Sequence, residues 1–72
     1  MSVYEKIKSD YENFVEKNSK EENITRYITE MNYLEKLEEL AVKNNLEKEL
    51  IDIKSKKEVV LNKLKEKGLQ KK

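Results

Sequence analysis

The sequence predicts an all-α protein: a three-helix antiparallel bundle or helical hairpin with long helices, coiled-coil-like packing and a dimeric state. Three observations carry this. Aliphatic side chains recur three and four residues apart from Ile24 to Leu64, the period of a helix that buries one face. Proline is absent and glycine occurs once, at Gly68, so nothing interrupts the long helical patterns. The chain has 72 residues with no Cys and no His. Disulfides and thiolate or imidazole zinc sites therefore cannot supplement a small core, which leaves self-association or a partner as the remaining staple. A single domain, residues 1–72, is expected.

The first helix is predicted over residues 3–17. Ser2 followed by Glu5 is a capping box. Val3, Ile7, Tyr11, Phe14 and Val15 share a face, with Tyr4 at its edge. Asn18-Ser19-Lys20 breaks the pattern. Ser19 with Glu22 makes a second box, so the second helix is predicted over residues 20–43, with Asn23 as a competing cap. Ile24, Tyr27, Ile28, Met31 and Leu34 lie on one face, and Tyr33, Leu37 and Leu40 form a second stripe. So wide an apolar arc suits a helix touching two neighbours.

Asn44-Asn45 are poor inside a helix and good at its ends. Asn44 with Glu47 offers a third box, and the apolar phase changes here. Leu46, Leu50, Ile53, Val60 and Leu64 follow a 4-3-7-4 spacing, a heptad seam with Lys57 in the missing slot. Carried backwards through an unbroken helix, this seam meets Glu39, Lys36 and Asn32. A turn near residues 43–45 is therefore preferred to one kinked helix, and the third helix is predicted over 46–67. Gly68 fits the left-handed position after the last turn, with Leu69 folding back on Leu64. Residues 68–72 form a basic tail.

Several functions are disfavoured by composition. Without His, Cys or a glycine-rich phosphate loop, no residue set suggests catalysis, and none of Ser2, Ser9, Ser19 and Ser55 has an evident activating base. Glu35, Glu38 and Glu39 read as a solvated helix face rather than a cation site, Glu39 standing i,i+4 to Lys43. No catalytic, metal or cofactor residue is assigned. Asn23-Ile24-Thr25 matches a glycosylation sequon, but helix capping explains it better. No secretory h-region and no transmembrane run occur, so a cytoplasmic protein with no membrane contact is expected. Lysine greatly outnumbers the single Arg26, and Asn, Ile, Glu and Tyr are abundant. That bias is the product of AT-rich codons and points to a low-GC bacterium, its phages or mobile elements.

Charge divides the chain. Residues 1–53 carry 8 basic and 13 acidic side chains, whereas residues 54–72 carry 8 basic and 2 acidic. Lys54, Lys56, Lys57, Lys63, Lys65 and Lys67 are candidate electrostatic contacts, for nucleic acid or an acidic protein face. They can equally complement the helix dipole or pair with Glu12, Glu16, Glu21 and Glu22. All five aromatics, Tyr4, Tyr11, Phe14, Tyr27 and Tyr33, lie in the acidic half, so base stacking beside the lysines is not supported. Lys57 is either a snorkelling stem or a register-setting residue in an oligomer.

At about 1.5 Å per residue, the first helix spans roughly 22 Å and the others just over 30 Å. A first helix folded back on the second would cover it only to about Lys36. The uncovered hairpin end would then expose Leu37, Leu40, Ala41, Val42, Leu46, Leu50 and Ile51, with Tyr33 at its margin, as a partner-binding patch. The leading expectation is a small non-enzymatic protein–protein interaction module that self-associates, a regulator or inhibitor occupying a partner's surface. The alternatives are a nonspecific nucleic-acid-binding protein using the C-terminal lysines, and a structural helical oligomer.

Overall fold

Three helices, α1 (Val3–Lys17), α2 (Ile24–Lys43) and α3 (Glu47–Glu66), make up the computed structural model, which describes residues 2–68. Among the described residues no strand occurs. The predicted contact of Leu69 with Leu64 and most of the basic tail lie outside the described residues.

α1 opens on the Ser2 hydroxyl, which accepts the Glu5 N–H at 3.1 Å. It closes on Asn18, whose backbone N–H and side-chain amide both donate to the Phe14 carbonyl, at 3.0 and 2.9 Å. α2 starts at Ile24, later than the capping-box spacing predicts, because Asn23 and not Ser19 is its N-cap. The Asn23 side-chain oxygen accepts the Arg26 N–H at 2.9 Å. Residues 18–20 are spent on a turn, and Glu21 N–H donates to the Asn18 carbonyl at 3.0 Å, which keeps Ser19 off the axis of α2.

The second turn replaces the expected Asn44–Glu47 box with a different device. Asn44 ends α2, its side-chain amide donating to the Leu40 carbonyl at 2.9 Å. Asn45 takes φ 56°, the left-handed region that asparagine tolerates better than most residues. Asn45 N–H then donates to Val42 at 3.2 Å and Leu46 N–H to Ala41 at 2.9 Å. These two bonds constitute a Schellman motif with asparagine in the place usually held by glycine. Leu46 becomes the N-cap of α3, with no side-chain capping bond. Glu47 and Glu49 in the first turn complement the exposed N–H dipoles instead. At the far end Gly68 takes φ 95° and donates to Lys65 at 3.1 Å, ending α3 as the glycine predicts.

α2 is the central element. α1 and α3 each pack along it, antiparallel to it, and among the described residues their backbones do not approach one another. The molecule is consequently a slab of 37 × 25 × 14 Å. Side chains close the valley between the outer helices: Tyr4, Lys8 and Tyr11 from α1 meet Asp52, Ile53 and Lys56 from α3 above Leu34 and Leu37. The core comprises Tyr4, Tyr11, Tyr27, Leu34, Leu37, Ala41, Ile53, Val60 and Leu64. Val3, expected inside, is 66% exposed, and Tyr4, expected at the edge, is buried. The inward row of α1 therefore runs through Tyr4 and Tyr11, one heptad apart.

Candidate interaction surface

The predicted partner patch does not survive as a unit. Leu37 and Ala41 are 2% and 0% exposed and belong to the core. Leu40, Leu46 and Leu50 are half-buried against it. Tyr33 is half-buried beneath α1, its ring 6.2 Å from that of Tyr11 and 5.6 Å from that of Phe14. Of the eight residues only Val42 and Ile51, 59% and 72% exposed, stand free.

The physical reason is the position of α1. Six residues, 18–23, separate α1 from α2, and α2's first turn extends beyond the end of α1. α1 is thereby displaced toward the α2–α3 turn, where Ser2, Tyr4 and Lys8 line one cleft with Leu40, Asn44, Leu46 and Glu49. The hairpin end expected to be bare is the end that α1 covers.

The six lysines do not form one patch either. Successive residues advance about 100° round a helix, and these lysines fall on two sides of α3. Lys56 pairs with Asp52 at 3.0 Å and stands 5.8 Å from the Tyr11 ring centroid. Lys67 reaches Glu22 at 3.7 Å. Lys57 meets Glu38 of α2 at 2.6 Å, so the polar interruption of the seam ties two helices of one chain together. Lys54, Lys63 and Lys65 form no ion pair among the described residues.

A polar cluster near the start of α2 was not legible as such. Arg26 Nε lies 3.3 Å from Glu30 Oε1, and both side chains are nearly buried, at 11% and 8% exposure. Neither atom makes a well-aligned hydrogen bond, so this is a charge contact rather than a hydrogen bond. The Arg26 guanidinium also donates to the Glu21 carbonyl at 2.7 Å and to the Tyr27 hydroxyl at 3.3 Å, and it lies 4.6 Å from the Tyr27 ring centroid. The Tyr27 hydroxyl donates to Glu22 at 3.0 Å. Burial raises the Glu30 carboxyl above the usual range, and Arg26 partly offsets that. The hydrogen bond from Tyr27 lowers Glu22. Burial pushes Tyr11 up to about 12 and raises Tyr4 and Tyr27. The sequence signal was available: the single arginine stands i,i+4 to a glutamate that falls on the apolar arc of α2.

This cluster stitches the 18–23 connection to α2. Among the described residues no group of three or more potential metal-ligating side chains is close enough to hold an ion, and no helix is long and apolar enough to cross a membrane. What remains open to a partner is a set of large aliphatic side chains on the outer faces of α2 and α3. Ile28, Val42, Ile51, Val59 and Leu61 are 41%, 59%, 72%, 57% and 44% exposed. Beside them, Met31 and Leu61 line a shallow groove between α2 and α3 with Lys54, Lys57 and Glu58. Comparison with protein-family models, curated proteins and solved structures gives no match.

Proposed function

We propose that this chain is a small interaction module without enzymatic activity, which self-associates and acts by occupying the surface of a partner protein. The supporting observation is the set of five large aliphatic side chains on the outer faces of α2 and α3, left out of the core. Exposed aliphatic surface is what a protein partner would cover. A regulator or inhibitor of a host protein, of the sort phages and mobile elements encode, fits the size and the amino-acid bias. Nucleic-acid binding through the lysines is the rival, and the division of those lysines between two sides of α3 weighs against it.

The test is affinity capture from a low-GC bacterial lysate with the wild-type chain and an Ile28→Asp/Val42→Asp variant as baits. A protein retained by the first and lost by the second supports the proposal. If only nucleic acid is retained, and salt releases it steeply, the rival replaces it. If neither bait retains a macromolecule, the proposal fails.

A further inference from the structure

The outer face of α3 carries a pattern that the core does not use. Glu47, Ile51, Lys54, Glu58, Leu61 and Lys65 follow a 4-3-4-3-4 spacing, so they form one stripe along the helix. All six are exposed. The stripe is centred about a third of a turn from the buried row of Ile53, Val60 and Leu64. None of its four charged members is in an ion pair among the described residues, although Lys54 and Glu58 stand i,i+4.

The stripe is complementary to its own reverse. Read from the N-terminus it runs acidic, apolar, basic, acidic, apolar, basic. Laid antiparallel on a copy of itself, about a point level with Lys56, it sets Glu47 against Lys65, Ile51 against Leu61 and Lys54 against Glu58. A two-fold operation makes each match twice. The parallel alternative sets every charge against its own kind and is penalised accordingly.

We propose that α3 pairs with α3 of a second copy of this chain, antiparallel, through this stripe. The inference rests on the self-association proposed above and specifies its geometry. Ile51 of each copy seats against Leu61 of the other, beside Met31 in the groove between α2 and α3. The contact runs about 27 Å along the helix. One helix seam buries less than the roughly 800 Å² per partner of a standard interface, so the dimer is weak and dissociates in the micromolar range or above.

Charge permutation and cross-linking test it on the full chain. Sedimentation equilibrium up to about 1 mM should show a dimer that weakens as salt rises. Lys54→Glu alone and Glu58→Lys alone each place like charges face to face and should weaken dimerisation at least tenfold. The K54E/E58K double variant restores opposite charges at both contacts and should recover it. Because the chain has no cysteine, Ile51→Cys and Leu61→Cys chains can be made singly and oxidised. Mixed together they should form a disulfide-linked dimer, and alone they should not. Ten residues along one helix is about 15 Å, well beyond disulfide reach. A monomer throughout removes the self-association and this arrangement with it. A dimer indifferent to the single charge reversals, or one in which Ile51→Cys links to itself, overturns only the arrangement and leaves the interaction-module reading standing.

Discussion

Asn45 offers a test in which two structures predict opposite signs. Its φ of 56° places an L-residue where the side chain crowds the following carbonyl, at a cost of roughly 1–2 kcal/mol that glycine escapes. Asn45→Gly should therefore stabilise the fold, and Asn45→Ala should lose roughly 1 kcal/mol relative to wild type, since alanine lacks the local hydrogen bonding that helps asparagine in this region. If residues 43–47 instead continued one kinked helix, the order would invert, because alanine exceeds glycine there by about 1 kcal/mol. The glycine–alanine difference thus swings by about 2 kcal/mol or more between the two structures. For a domain of 60–100 residues about 1 kcal/mol corresponds to roughly 4–8 °C in Tm, so the swing exceeds about 8 °C. Thermal unfolding followed by circular dichroism at 222 nm, at one fixed protein concentration, measures it. An alanine variant that melts above the glycine variant would refute the Schellman turn and the separation of α2 from α3.

Further outcomes follow from the polar contacts. Arg26→Met leaves the Glu30 carboxylate nearly buried without its partner and should cost about 3–5 kcal/mol in chemical denaturation, whereas Arg26→Met/Glu30→Leu should recover most of that. Lys57 and Glu38, 2.6 Å apart and half-buried, should show a coupling of about 1 kcal/mol in a double-mutant cycle, which an additive pair would contradict. Tyr11 is pushed up to about 12 by burial, from an ordinary value of 10. A pKa raised in the folded state gives stabilisation that is complete below pH 10 and lost as pH rises through 12, worth about 2–3 kcal/mol for a two-unit displacement. Tyr11→Phe should consequently shift alkaline unfolding to higher pH, and an unchanged midpoint would show that the phenol is not confined.

The helical architecture was legible because apolar spacing reports directly on which face is buried. Leu34, Leu37, Ile53, Val60 and Leu64 all lie on predicted stripes and all enter the core. The candidate surface was much less legible, for two reasons. Competing caps at Ser19 and Asn23 are each adequate locally, and the 18–20 turn, closed by the Glu21 N–H on the Asn18 carbonyl, leaves the cap to Asn23. That choice displaces α1 along α2, covering Leu40 and Leu46. Spacing also cannot distinguish a buried glutamate from an exposed one. Glu30 falls on the inward arc of α2, and only the adjacent Arg26 makes its burial tolerable.

Leu46 belongs to two helices at once, since its N–H closes the α2 turn on Ala41 and its carbonyl is the first acceptor of α3's ladder, taking the Leu50 N–H at 2.9 Å. No slack exists between the helices, so the junction works as a fixed gear. One residue added there would rotate α3 by about 100°. Ile53, Val60 and Leu64 would swing away from α2, and Lys57 would leave Glu38. The 18–23 connection has no such constraint on phase. Length variation is accordingly best accommodated at the exposed Ser19-Lys20 turn, ahead of the Glu21, Glu22 and Asn23 contacts with α2, while the chain length across 44–46 determines which side of α3 faces outward.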